Sequence, residues 1–527
     1  MSYNFAPQIV SPDAPFTDAQ RAWLNRLFAD ALLQTLPAAP GVAQPAASDA
    51  EDESTPWKDP AMVIDERMAL ASARPARWKL MAAMAQQDCG QCGYNCADYS
   101  RAIFEQAEPR LNLCAPGGKA TARVLKSLVE EMGGGVIGPE EAAAKAAAAP
   151  AAPKDARPGY SREQPVVARF ISRTRLNGAG SEKYTSHIEI DLSRSGLTYE
   201  VGDSLGIFPR NDPALVDAVI AAIDVPPDFP IAGEPFRQVL LERTSLGPAP
   251  DALFQFISYL TGGERRRKAQ ALSRGEDPDG DAAALDVLAA LHKFAGIRPD
   301  PEALIEVLEP LQPRLYSISS SPRAHPGRVS LTVDAVRYEA LARERLGVAS
   351  TFLGERLAPE GDVLVYVQKA HGFGLPESGD TPIIMVGPGT GVAPFRAFLH
   401  ERLATGAPGP AWLFFGHQRE AHDFFYRDEW EMLRQRGTLT HLSTAWSRDG
   451  AQKTYVQQRI REAGAELWRW LEQGAHFYVC GDAKKMACDV EAALRDVAAA
   501  HGGLPLDAAA AFPARLKAEG RYQADVY

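Results

Sequence analysis

TPIIMVGPGTGVAPFRAFLHER, residues 381–402, runs from an apolar strand through a glycine-rich turn into a helix. Ile383 to Val386 are uninterrupted apolar residues, as in a strand buried on both faces. Gly387, Gly389 and Gly391 follow at once. Glycine lets the backbone approach a pyrophosphate, and a helix N-terminus supplies amide donors and a favourable dipole. Taken alone, such a turn can equally be a tight strand-to-helix connection. The neighbouring sequence repeats the arrangement, since AWLFFGH (411–417) and HFYVCGD (476–482) are further apolar strands, each leading into a helical pattern. Buried strands alternating with helices predict a doubly wound α/β sheet over residues 379–527.

Upstream the texture changes. Between 166 and 378 short alternating strands such as HIEIDL (187–192) and RVSLTVDAV (328–336) stand between Gly/Pro turns, which predicts an antiparallel β-barrel. Helical patterns interrupt it from about 212 to 310. RLYSISSS (314–321) sets a cation, an aromatic ring and hydroxyls side by side. Arginine for phosphate, tyrosine for stacking and serine for a ring edge suit a planar anion. The same residues also fit an exposed strand with a solvated arginine.

Residues 1–56 read as one helix, Thr17 to Leu36, followed by a Pro/Ala/acidic linker. Residues 57–138 form a small, mostly helical unit around four cysteines, and 139–165 are an Ala/Pro linker. Cys89, Cys92, Cys96 and Cys114 are spaced C-x2-C-x3-C-x17-C. Four thiolates can surround one tetrahedral zinc or one cubane cluster, and a redox thiol set is a third reading. A [4Fe–4S] cluster is favoured by the three-plus-one bunching, by Gly90 and Gly93 inside the loop, and by Pro116 after the last ligand. The remaining cysteines are Cys480, at the end of a strand, and Cys488, expected in the core.

With 56 Lys and Arg against 67 Asp and Glu the chain carries a net charge of −11, which argues against a nucleic-acid partner. No apolar run reaches the ~18 residues of a membrane span. The N-terminal MSYNFAPQIV lacks a basic and apolar leader pattern. The expectation is a cytoplasmic protein with neither nucleic-acid nor membrane partners.

RLYSISSSP, GVAST (347–351), VGPGTGVAPFRAF, LFFG, AWSRD, KTYVQ, AELWRW, FYVCGDAKKMACDVE and the terminal RYQADVY occur in order. Together they closely resemble the FAD/NADPH half of the flavoprotein (alpha) subunit of assimilatory NADPH-sulfite reductase, within the diflavin reductase class. The resemblance spans about residues 165–527 and implies a ferredoxin-NADP reductase-like pair of domains. It implies that Arg314, Tyr316, Ser317, Thr332, Val333, Tyr338, Gly347, Val348, Ala349 and Ser350 hold FAD, with Tyr527 stacked on the flavin. It implies NADPH on Gly387, Gly389, Thr390, Gly391, Ser447, Arg448, Lys453, Tyr455, Gln457 and Asp489. Ser317, Cys480 and Asp525 match the polar trio beside the nicotinamide.

The family's FMN domain has no counterpart in residues 1–165, so FMN is not expected. The cysteine stretch there resembles the four-iron module of corrinoid iron–sulfur proteins, with one residue fewer between the second and third cysteines. The implied route is NADPH to FAD to [4Fe–4S] to an acceptor, foremost a sulfite reductase haemoprotein (beta) subunit. The alternative is another redox partner (nitrate or nitrite reductase, cytochrome or flavodoxin) with the module a zinc-held docking domain.

Overall fold

Asn95 sets the first well-defined boundary in the cysteine region: its Oδ1 accepts from Asp98 N at 2.7 Å and caps a helix beginning at Cys96. The computed structural model describes residues 57–60, 62–87, 90, 92–132, 157–370 and 372–527. The expected helix at Thr17–Leu36, the linker segments 37–56 and 139–156, and Cys89 lie outside them. Among the described residues four helices make up the module: α1 (Ile64–Ala71), α2 (Ala76–Ala83), α3 (Cys96–Phe104) and α4 (Gly118–Glu131). Leu80, Met84, Tyr99, Ile103, Leu113 and Leu125 form its core. The Tyr99 hydroxyl donates to Arg110 O at 2.7 Å and accepts from Leu113 N at 3.2 Å, which fixes the strand-free path to Cys114.

The alternating segments form antiparallel strands β1 (Val166–Arg175), β2 (Thr185–Asp191) and β3 (Ser204–Phe208). The helical insertion follows, with α5 (Pro213–Ile223), a two-residue-strand hairpin β4 (Pro230–Ile231) and β5 (Glu234–Pro235), then α6 (Phe236–Glu242), α7 (Asp251–Leu260), α8 (Gly263–Ser273), α9 (Val287–Lys293) and α10 (Pro301–Val307). Asp212-Pro213 and Asp300-Pro301 start two of these helices, aspartate capping and proline supplying the first helical φ. The chain then returns as β6 (Arg314–Ser317), β7 (Arg328–Asp334), β8 (Arg337–Ala340), β9 (Arg343–Leu346), the short helix α11 (Val348–Thr351) and β10 (Asp362–Gln368). The six-stranded sheet has the order β6-β3-β10-β1-β2-β7, and its edges meet through a bridge between Ile318 and Leu331. Phe170, Ile188, Ile190, Leu205, Ile207 and Val365 fill it, whereas the insertion keeps a separate core around Phe236, Phe254 and Phe294.

The C-terminal part is a parallel sheet built from β11 (Ile383–Val386), β12 (Ala411–His417), β13 (His441–Trp446), β14 (His476–Gly481) and β15 (Tyr522–Val526) in the order β13-β12-β11-β14-β15. Helices α12 (Ala393–Thr405), α13 (Glu420–Asp423), α14 (Arg427–Gln435), α15 (Val456–Glu462), α16 (Gly464–Glu472), α17 (Met486–Gly502) and α18 (Leu506–Ala518) accompany it. The doubly wound sheet expected from the sequence is therefore present, with β13 and β15 added. Cys488 is exposed, which corrects the core expectation. It precedes Val490 by two positions on α17, about 200° around the helix from the buried row Val490, Ala493, Leu494 and Val497. No helix among the described residues is long and apolar enough to cross a membrane.

Candidate active site

Parallel pairing places Cys480 of β14 opposite Asp525 of β15. Ser317, at the end of β6 in the antiparallel domain, donates from Oγ to Asp525 Oδ2 at 2.6 Å. The Cys480 thiol lies 3.8 Å from the same oxygen. The three residues singled out as catalytic thus meet on one carboxylate, contributed by two domains. Burial pushes the Cys480 thiol well up, and the Asp525 charge adds to it, so the sulfur stays protonated and donates. Burial also raises the Asp525 carboxyl, while its bonds from Ser317 and Cys480 act the other way.

The glycine turn supplies the floor. A side chain at Gly391 would put its Cβ 2.1 Å from Cys480 O, so only glycine lets the turn reach the end of β14. Thr390 Oγ1 and the Tyr527 hydroxyl are 2.9 Å apart, and Tyr527 N donates to Gly481 O at 3.0 Å. The C-terminal ring is thereby held over the turn while remaining 48% exposed. Tyr338, on β8, is 58% exposed. Two open aromatic faces suit stacking on a planar ring system. Gly347, Val348, Ala349 and Ser350 form the start of α11, where Ser350 Oγ accepts from Val336 N at 3.1 Å. Arg314 is exposed at the outer end of β6, and Tyr316 packs partly into the barrel core. Thr332 and Val333 are buried, and the Thr332 hydroxyl is 2.7 Å from the Tyr426 hydroxyl.

A cleft of about 380 Å³ opens beside the turn, lined by Gly389, Ser447, Tyr455, Gln457 and Asp489 from the expected nucleotide set. Gln457 Nε2 donates to Asp489 Oδ2 at 3.0 Å, and Ser447 Oγ to His417 O at 3.3 Å. Arg448 does not line this cleft; its Nη1 donates to Glu182 Oε2 at 2.5 Å. Lys453 is exposed near the rim sequence and is likewise not among the lining residues. Two lysines that the sequence reading did not single out, Lys183 and Lys485, do line it. Lys485 stands in the AKKM run directly after β14 and was findable there. Lys183 comes from the β1–β2 connection of the other domain, where nothing local marks it.

FAD binding domain family signatures match residues 158–261 and 238–352, and the oxidoreductase NAD-binding domain family matches 385–492. The chain is 43% identical over 378 residues to the sulfite reductase [NADPH] flavoprotein alpha-component of Escherichia coli O9:H4 (strain HS). The Shigella boydii serotype 4 and E. coli K12 proteins of the same name match at the same identity and length. Over that stretch the chain is similar to these flavoprotein components, and it carries an FAD-binding and an oxidoreductase NAD-binding domain. Each match covers 70% of this chain, and the chain spans 62% of the length of these curated relatives. The homologous part thus contains both domains that meet at Asp525: Ser317 lies within the FAD-binding match and Cys480 within the NAD-binding match.

The cysteine module is a second candidate site. Cys92, Cys96 and Cys114 line one small enclosed cavity together with Met84, Tyr94, Tyr99 and Pro116. Cys92 Sγ lies 3.3 Å from Tyr94 O. Arg67 is 5% exposed and near enough to Cys114 and Cys96 to interact with them electrostatically, and its Nε donates to Ala82 O at 3.0 Å. Among the described residues no three His, Cys, Asp or Glu side chains are placed to hold a single metal ion.

Proposed function

We propose that this chain is the NADPH-oxidising component of a sulfite reductase, which accepts hydride on FAD and passes single electrons through a [4Fe–4S] cluster to a haemoprotein (beta) subunit. The observation that carries the reading is the 2.6 Å bond from Ser317 in one domain to Asp525 in the other, with the Cys480 thiol on the same oxygen. FAD, when bound, supplies the conversion of a two-electron hydride into single electrons. Tyr338 and Tyr527 offer stacking faces, the start of α11 offers amide donors to a pyrophosphate, and Ser317 and Cys480 orient the nicotinamide edge. Asp525 keeps the hydroxyl and thiol pointing at one locus and neutralises a developing positive ring. Lys183 and Lys485 supply charge for the nucleotide phosphates.

For the cysteines, three thiols around one enclosed cavity support a cofactor, with Cys89 as the fourth ligand. A zinc ion draws its sulfurs to about 2.3 Å from a single point. A cubane instead presents a separate iron to each thiolate. The buried guanidinium of Arg67 suits a site of net negative charge.

The test is anaerobic purification followed by iron, sulfide, zinc and flavin analysis of the native chain and of Cys96→Ser. The expected result is iron and sulfide in the native protein only. FAD would remain in both, NADPH would bleach the flavin in both, and sulfide production with an added sirohaem sulfite reductase would occur in the native protein alone. Zinc without iron in the native protein would sink the relay. Iron present with full sulfite reduction by Cys96→Ser would leave the cluster outside the electron path.

A further inference from the structure

The module does not hang from the flavoprotein; it is bonded to it along two edges. On α4, Arg123 makes a bidentate pair with Asp251 of the insertion, both bonds at 2.8 Å. Lys119, one turn earlier, donates to Ala249 O and lies 5.7 Å from the Phe254 ring. Asn112, two residues before Cys114, donates to Glu309 Oε1 at 3.3 Å. The opposite edge is the cysteine loop itself. Gly90, with φ at +68°, is buried so close to β10 that a Cβ there would sit 3.4 Å from Gln368 Cδ. Gly93 approaches Arg162 in the same way, at 3.1 Å.

Gln368 is not an arbitrary neighbour. It pairs with Ser204 of β3, and Ser204 pairs with Ser317 of β6. Two strand spacings, about 10 Å, separate its backbone from the residue beside the hydride-transfer locus. Gly90 therefore abuts the end of a sheet whose next two strands lead straight to Ser317.

We infer that the four-cysteine module is a fixed part of the reductase, docked so that electrons cross from the flavin to the cysteine site through the β6-β3-β10 edge without any domain movement. The inference rests on the proposed function for the identity of the cofactors. Each NADPH delivers two electrons to FAD as one hydride; two successive one-electron transfers then reduce the cysteine site and the haem acceptor reoxidises it after each. The lost proton leaves to solvent as the flavin returns to its oxidised form.

Docking is tested without reference to turnover by inserting a specific protease site between residues 139 and 156 of the full chain. After cleavage the module should co-elute with the flavoprotein on gel filtration, and separate elution would overturn the inference. Arg123→Asp should release the cut module and Arg123→Asp with Asp251→Arg should retain it. Retention by the single reversal with release by the double would overturn the assigned contact. In the uncut holoprotein, bleaching of the cluster after mixing with NADPH should change by less than about twofold when viscosity is raised about fivefold, because no gating motion is involved. A rate falling in proportion to viscosity would mean a swinging module and overturn the fixed path. Iron-free protein whose cut module stays bound would instead refute the proposed cofactor while the docking stands.

Discussion

Asp525 gathers two donors on one oxygen, and the roles of those donors separate by substitution. In the proposed mechanism the thiol acts on the reacting ring rather than on the phosphates, so Cys480→Ala should slow flavin reduction by on the order of 10²-fold in stopped flow, with NADPH affinity unchanged. An unaltered bleaching rate would reduce Cys480 to packing. Arg448 is held by Glu182 at 2.5 Å, and in the proposed nucleotide site a 2′-phosphate would have to compete with that carboxylate. Arg448→Ala should weaken NADPH by about 1.5–3 kcal/mol and leave NADH nearly unaffected, the worth of a hydrogen bond to a charged group. Glu182→Gln should do the reverse and lower the NADPH KM. Equal effects of either change on both cofactors, measured in steady state, would contradict a role at the 2′-phosphate.

At the scale of elements, the turn between β11 and α12 is set by backbone approach rather than by side chains. Gly391→Ala places a methyl 2.1 Å from Cys480 O, and neither backbone can yield without moving β14. We expect a loss of roughly 1–3 kcal/mol in denaturant unfolding, the usual cost of overpacking, together with weakened NADPH binding. A variant of native stability would show that β14 can shift. β15 illustrates the complementary case. Its sequence, YQADV, has no continuous apolar run, yet pairing with β14 delivers Asp525 to Cys480. A lone cysteine and a lone aspartate 45 residues apart become neighbours only through that register.

Across the whole molecule, the two cofactor domains are locked by polar contacts between β2, β7 and the helices of the nucleotide domain. Arg396 of α12 donates to Ser319 O at 2.7 Å and to Glu429 at 2.7 and 3.1 Å. Burial would raise the Glu429 carboxyl, but His400 and Arg396 hold it down at about 2. Arg396→Met should cost about 3 kcal/mol, as for breaking a buried pair, and should slow flavin reduction although it touches neither trio nor cleft. Native kinetics would show that the interface does not set the hydride geometry. His187 joins the same interface, its Nδ1 3.1 Å from the Tyr426 hydroxyl. Burial and then the Arg396 charge lower its pKa from 6.5 to about 4, with Glu429 and Glu189 opposing and His325 reinforcing. The native state then binds fewer protons than the unfolded chain between those values, so this group makes stability fall as pH drops from 6.5 towards 4. His187→Gln should flatten that part of the stability–pH curve, and an unchanged slope would remove His187 from the interface's titration.

The sequence by itself determined what local pattern can encode. Apolar runs with period-two or continuous burial mark β2, β7, β11, β12 and β14, and Asp-Pro pairs start insertion helices, because strand and cap preferences act over a few residues. The glycine turn and the ordered motifs were legible for the same reason. Tertiary structure alone decided which distant residues share a site. Ser317 reaches Asp525 because a strand end of one domain abuts an edge strand of the other, and Lys183 enters the cleft from a connection with no motif. Cys488 went the other way, to the surface, since its helical phase relative to Val490 outweighs the general preference of free cysteine for burial. The contact of Gly90 with Gln368 joins positions far apart in the chain, and only packing could bring the cysteine loop to the barrel edge that leads to Ser317.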